Sequence, residues 1–238
     1  MAAHQLGKAW EREGMDFSTI VGVATHDMKN SVGVITAYLE DLLAQHAEAS
    51  FGPDAANLLQ QTLYEAQRVN GHLVQLMGVY KIERGMYPFD PQEVDLAEFA
   101  AEALSRVRPL AHVKGLTLES EVDGLAGSWY FDRETVASVV IQAMFNAVRY
   151  TRSRITLRLV ATAEGLLIAV DDDGLGFPGF MLDQAYPIQG INAQTGSTGL
   201  GLYFARQVAL LHRRGTAQGH TRLENLPAGG GRFSILLP

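Results

Sequence analysis

Leu166-Leu-Ile-Ala-Val170, followed by Asp171-Asp172-Asp173-Gly174-Leu175-Gly176, is the stretch that decides the fold. Its first five residues are an unbroken apolar run, short enough for a strand buried in a sheet and too short for a helix. The aspartates and glycines that follow stop the strand sharply. Glycine lets backbone come close to a ligand, and an Asp fixed at a strand end can accept a hydrogen bond from an exocyclic amine. A plain glycine-rich turn and a calcium loop are the alternatives, although the downstream acidic ligands of an EF-hand are missing.

Reading outward from this strand, helix and strand patterns alternate. The periodicity predicts a helix over about Leu96 to Leu110, a strand over Leu116–Val122 and a helix over about Glu134 to Arg149. Strands at Ile155–Val160 and Leu166–Val170, a helix at Leu200–Leu211 and a last strand at Phe233–Leu237 complete an α/β sandwich.

The N-terminal part reads differently. No proline precedes Pro53, and none lies between Pro53 and Pro88, which leaves room for two long helices. In the first, Val21, Ala24, Met28, Val32, Ile35, Leu39 and Leu42 recur at steps of three or four, as one apolar seam. In the second, Leu59, Leu63, Ala66, Leu73, Met77 and Tyr80 do the same, with Asn70 as a polar interruption of the kind that fixes register. Ser50-Phe-Gly-Pro-Asp54 has turn chemistry, so an antiparallel hairpin is expected. A hairpin alone cannot cover such seams, and pairing of two copies into a four-helix bundle is the simplest remedy. Lys81 to Pro91 mixes charge, Gly and Pro as a linker does. The expected class is therefore α+β, with a helical hairpin over residues 1–87 and a sandwich over 88–238.

Composition narrows the function. With 19 basic against 26 acidic residues, the net charge is −7, and no basic run could track a nucleic-acid backbone. Cysteine is absent, which removes disulfides, thiolate metal sites and cysteine nucleophiles. No stretch has the length of a membrane span, and the first residues lack a secretory signal. A cytoplasmic protein is expected.

Three further clusters carry chemistry. His26 sits roughly 160–200° around the helix from the Met28 seam and should face water. Its neighbour Asp27 could hold the ring proton on one nitrogen and leave the other nucleophilic. Gln142, Asn146 and Arg149 share one helix face, where a carboxamide oxygen suits Mg²⁺ and a guanidinium suits phosphate. Gly196-Ser-Thr198-Gly199-Leu200-Gly201-Leu202 runs into a helix whose N-terminal N–H groups also suit phosphate. Taken singly, each could be a solvated face or a loop.

Taken in order they are more specific. His26-Asp27-x-x-Asn30, Asn146-Ala-x-Arg149-Tyr150, Asp172-x-Gly174-x-Gly176 and Thr198-Gly199-Leu200-Gly201-Leu202 resemble the sensor histidine kinase family at every station. The likeness runs from about Phe17 to Pro238, through Ile82-Glu-Arg-Gly85, Val94-Asp-Leu96 and Ala111-His-Val-Lys-Gly-Leu116 to Phe233-Ser-Ile-Leu-Leu-Pro238. It implies a dimerising phosphotransfer hairpin and an ATP-binding sandwich of the type shared with gyrase and chaperone ATPases. His26 would be the phosphoacceptor, Asp27 its activator, and Asn30 the residue that helps place water for dephosphorylating the partner. Asn146 would ligate Mg²⁺, Arg149 would meet phosphate, and Gln142 and Tyr150 would complete that helix's contribution to the ATP site. Asp172 would read the adenine amine, and Gly174, Gly176, Thr198, Gly199, Leu200 and Gly201 would shape the pocket and its lid. The expected partners are a response regulator receiver domain and a second copy of the chain. Because the residues ahead of Phe17 leave no room for a sensor, a separate sensory partner or an excised core is also expected.

The chain departs from the family pattern in four places. Gln142 stands where relatives carry Asn, Arg213 replaces a Gly, Gly231 replaces a Thr, and the lid carries Tyr186-Pro187-Ile188 with no Arg or Lys between Phe177 and Thr198. The rival readings are an ATP-independent phosphotransfer relay or scaffold, and an ATPase module that does not use His26. The remaining histidines, His212 among them, are expected to be surface or packing residues.

Overall fold

The computed structural model describes residues 17–45, 53–123, 127–182 and 199–238. The chain divides into two compact units, Met1–Tyr87 and Pro88–Pro238.

In the first unit α1 (Phe17–Gln45) packs on α2 (Pro53–Glu83). Pro53 opens α2, a position where its missing N–H costs nothing; the rest of the expected turn, Ser50 to Gly52, lies outside the described residues. Residues 46–52 can reach only about 25 Å, well short of the roughly 43 Å of a 29-residue helix. Helices packed along their length must therefore run antiparallel, and Gln67 Nε2 donates to Glu40 Oε1 across them at 3.2 Å.

In one copy of the chain the α1 seam is only partly covered. Thr25 is buried, and Lys29, Val32, Thr36 and Leu39 are half-buried. Met28 and Ile35 are each 52% exposed, Tyr38 is 72% exposed, and Leu42 is also exposed. One neighbouring helix covers only part of an apolar stripe, so the residues a quarter-turn round stay in water. Inside the hairpin, Asn70 Oδ1 and Gln75 Oε1 are buried with no hydrogen-bond partner.

The second unit is built on a five-stranded sheet in the order β2-β4-β5-β9-β8. These strands are β2 (Thr117–Val122), β4 (Arg154–Thr162), β5 (Gly165–Asp172), β8 (His220–Asn225) and β9 (Gly231–Leu237). The β2–β4 pair is parallel and the others are antiparallel. β1 (Gln92–Asp95) pairs with β3 (Ser128–Phe131), and β6 (Arg213–Arg214) with β7 (Ala217–Gln218).

Three helices pack on the sheet: α3 (Leu96–Val113), α4 (Arg133–Tyr150) and α6 (Leu200–Leu211); α5 (Gly179–Leu182) is a single turn. Side chains alternate along a strand, so Leu157 and Leu159, Leu166, Ile168 and Val170, and Ile235 and Leu237 share the sheet's buried face. They form the core with Phe99, Val107, Val140, Met144, Phe204 and Val208. Capping fixes where the helices start. Asp95 accepts from the Glu98 N–H at 2.8 Å, and Asp132 Oδ1 accepts from the Thr135 N–H at 3.0 Å.

On the opposite face charges alternate across the strands. Arg158 pairs with both Glu121 and Asp171, and Arg232 grips Asp171 through Nε and Nη2 at 2.6 Å each. A carboxylate with only a tenth of its side chain exposed thus has two guanidinium partners.

Candidate functional site

In the hairpin, the His26 side chain is 58% exposed. Two neighbours meet it at the same nitrogen. Asp27 Oδ1 lies 3.5 Å and Asn30 Nδ2 3.3 Å from His26 Nδ1. The two contacts belong to different tautomers: with its proton on Nδ1 the ring donates to the Asp27 carboxylate and the lone pair is on Nε2, whereas a bare Nδ1 accepts from Asn30.

In the sandwich, the site is the place where three chain segments close on the end of β5. Asp172 is the last residue of that strand, and the Gly174 N–H donates to its Oδ1 at 2.8 Å. Burial pushes the Asp172 carboxyl above the ordinary carboxylate range. The N–H groups of Gly174 and Gly231 pull it back in part, while Asp173 and Asp171 add to the rise. The result is a half-buried acceptor.

Glycine makes this convergence possible. A Cβ on Gly174 would lie 2.3 Å from the Tyr150 carbonyl oxygen, and one on Gly230 would lie 1.8 Å from the Asp172 carbonyl oxygen. On Gly176, whose φ is +78°, it would meet Asn225 Oδ1 at 2.5 Å. On Gly231 it would meet the Phe177 ring at 2.8 Å and Asp172 Oδ2 at 3.0 Å. The turn after β5 therefore rests against the end of α4 on one side and the β8–β9 hairpin on the other.

Asp173 ties the first of these contacts down. Its Oδ1 accepts from the backbone N–H groups of Arg152, Ser153 and Arg154 at 2.9, 3.0 and 3.2 Å, and its Oδ2 accepts from Ser153 Oγ. Burial alone would raise the Asp173 carboxyl, but these donors outweigh it and leave the group far below the ordinary range.

The end of α4 thus stands beside Asp172, as the sequence suggests. Asn146, Arg149 and Tyr150 are exposed, and the Arg149 guanidinium lies 5.5 Å from the centre of the Tyr150 ring. Gln142 differs: at 8% exposure it belongs to the buried side of α4. The glycine loop enters α6 through Gly199, whose φ of +66° places it in the left-handed region; no side chain caps the helix there. Leu200 and Gly201 follow, half-buried. Thr198 and the lid residues Tyr186, Pro187 and Ile188 lie outside the described residues.

Residues 131–238 match the family described as histidine kinase-, DNA gyrase B- and HSP90-like ATPase. Along 97% of its length the chain is 26% identical to the alginate biosynthesis sensor protein KinB of Pseudomonas aeruginosa. It is 28% identical, again over 97%, to the phosphate regulon sensor protein PhoR of the same species. Residues 131–238 therefore form a domain of that ATPase family, and the chain as a whole is similar to the catalytic cores of sensor histidine kinases. It spans 38% and 50% of the lengths of those two relatives. The fold agrees: the histidine kinase AdeS of Acinetobacter baumannii superposes with a TM-score of 0.58 at 18% identity, over 87% of this chain and 95% of that one. No described helix of the chain is long and apolar enough to cross a membrane.

Four parts of the candidate site are not singled out by the sequence reading: Asp173, Phe177, Asn225 and Gly230. Gly229-Gly-Gly231 was the available signal, because consecutive glycines before a buried strand mark a close backbone approach. His212 has a built environment rather than a surface one. Its Nε2 accepts from the Asp132 N–H at 3.0 Å, its Nδ1 lies 2.8 Å from the Val208 carbonyl oxygen, and Phe89 meets its ring edge-on at 5.0 Å. It is a packing residue, and it joins the end of α6 to the start of α4.

Proposed function

We propose that this kinase phosphorylates its own His26 from Mg-ATP and passes the phosphoryl group to the receiver domain of a response regulator. In this reading residues 1–87 are the dimerisation and phosphotransfer domain, and residues 88–238 bind the nucleotide. The observation that carries it is Asp172: a partly desolvated acceptor, held by two backbone N–H groups at a place where glycines let three chain segments converge. Such a group suits the exocyclic amine of adenine.

The donor set fits the metal and the phosphates as well. The exposed carboxamide of Asn146 would hold Mg²⁺, which needs few protein ligands and when bound would offset phosphate charge. Arg149 supplies a guanidinium for phosphate, and the uncapped start of α6 supplies backbone N–H groups. At the acceptor, the lone pair on His26 Nε2 forms the N–P bond while the bond from the γ-phosphorus to the bridging oxygen breaks and ADP departs with that electron pair. The Nδ1 proton, made acidic by phosphorylation, passes to the Asp27 carboxylate that faces it. Asn30 is then the donor for a water that attacks the phosphorylated partner. A second copy of the chain would cover Met28, Ile35, Tyr38 and Leu42 and complete a four-helix bundle.

Incubation with γ-labelled ATP and Mg²⁺ tests the reading. Acid-labile label that disappears in His26→Gln is expected. A phosphotransfer relay would take up no label without a separate donor, and an ATPase module would hydrolyse ATP at the same rate after His26 is lost.

A further inference from the structure

Asn225 is exposed at the end of β8, yet its side chain is fully committed to one residue distant in sequence. Asn225 Oδ1 accepts from the Phe177 N–H at 2.6 Å, and Asn225 Nδ2 donates to the Phe177 carbonyl at 3.0 Å. A carboxamide carries the same donor and acceptor as a peptide group, so the side chain pairs with Phe177 as a neighbouring strand would. The cross-strand partner of Asn225 is Gly231, and the Phe177 ring lies over Gly231. The pair therefore holds Phe177 at two places, Asn225 at the backbone and Gly231 at the ring. Both the ring edge and Asp172 Oδ2 border the space that a Gly231 side chain would fill.

We propose that Asn225 is a positioning residue of the nucleotide site, acting through Phe177, which it holds as the apolar wall beside the base-reading carboxylate of Asp172. The inference rests on the nucleotide reading above and adds a residue to it. A flat ring at this edge screens the carboxylate from water, which strengthens the one hydrogen bond that tells adenine from guanine. Residue type matters for geometric reasons. Asp lacks the donor for the Phe177 carbonyl, and Gln, one methylene longer, would drive its amide into Gly176, which already lies against Asn225 Oδ1.

The test is titration of the full chain with ADP and with GDP. Asn225→Ala is expected to weaken ADP binding about tenfold, equivalent to about 1.4 kcal/mol, and to leave the weak GDP binding unchanged, so that base selectivity collapses. Phe177→Leu keeps both Asn225 bonds and is expected to lose selectivity to a similar degree. The double variant should lose little more than either single one, because both act through the same ring. Equal weakening of ADP and GDP would reduce Asn225 to a structural residue, and unchanged ADP affinity in both single variants would also overturn the proposal. Failure of the unaltered chain to bind ADP at all would instead remove the nucleotide reading itself. Asn225→Asp, which keeps the acceptor for the Phe177 N–H, serves if Asn225→Ala does not fold.

Discussion

Removing the Asp173 carboxylate should untie the loop that fixes the end of α4 beside Asp172, and the cost can be worked from its hydrogen bonds. Asp173→Ala deletes an acceptor used by three backbone N–H groups and one hydroxyl. Bonds to a buried charge contribute about 1.5–3 kcal/mol each. Arg152, Ser153 and Arg154 are exposed, however, so water replaces the lost acceptor and solvent screens the charge; roughly 0.5 kcal/mol per bond is the fitting scale. Removing Asp173 also relieves its repulsion of Asp172, which offsets a little of the loss. The expected destabilisation is about 1.5–2 kcal/mol for Ala, and about half that for Asn, which keeps a neutral acceptor. The assay is urea unfolding of the full chain carrying Trp10→Phe, so that Trp129 on β3 alone reports. pH supplies a second arm. The folded-state pKa of Asp173 lies below its unfolded value, so its contribution is complete above about pH 4 and is lost as pH falls below that. The gap between the unaltered chain and Asp173→Asn should therefore be flat from pH 8 to 5 and shrink in acid. A gap under about 0.3 kcal/mol, within the additivity error of such comparisons, would refute the reasoning, as would a gap that stays constant into acid.

Two further outcomes follow from groups away from Asp172. Burial lowers the pKa of His212, and both ring nitrogens have backbone partners that suit the neutral form. The unfolded chain therefore binds the extra proton first, and stability should fall as pH drops below about 6.5, with the slope reduced in His212→Gln; unfolding curves at pH 7.5 and 5.5 check this. On α1, Ile35→Glu with Tyr38→Glu puts two charges on the exposed apolar stripe. Sedimentation velocity should show the unaltered chain as a dimer and this variant as a monomer.

The legible parts of this fold were those whose signal is local. Leu166–Val170 reads as a buried strand because it is apolar throughout, and the Asp172-x-Gly174-x-Gly176 turn announces itself by composition. Less was legible where a residue's role depends on a distant segment. β8, His220-Thr-Arg-Leu-Glu-Asn225, was missed because it is the sheet's edge strand, and its mixture of polar and apolar residues carries no strong period. Asn225 in a sequence is a turn-forming residue like any other. Its meaning comes from Gly231 across the hairpin and from Phe177, 48 residues earlier. The α1 stripe reads as apolar from its period, but periodicity gives the direction of a face and not the width that one neighbouring helix covers. Gln142 shares its helix face with Arg149 by angle, yet it is buried at the core end of that face.

Three consecutive aspartates show why composition alone could not assign the site. Along β5 the side chains alternate, so Asp171 and Asp172 point to opposite faces of the sheet. Asp171 lies on the charged face and is bound by Arg158 and Arg232. Asp172 turns toward the helices, where burial raises its pKa and the glycines of two loops let neighbouring backbone close against it. Asp173, just past the strand, has left the alternation and spends its oxygens on the Arg152–Arg154 backbone. Of the three, the outer two are saturated by partners within the protein. Asp172 is held by backbone donors in a half-buried setting that a ligand's N–H could complete, and that difference is fixed by strand geometry rather than by residue type. Shifting the register of β5 by one residue would exchange the roles of Asp171 and Asp172, so the pairing of β5 with β4 and β9 is as much a part of the proposed nucleotide site as the carboxylate itself.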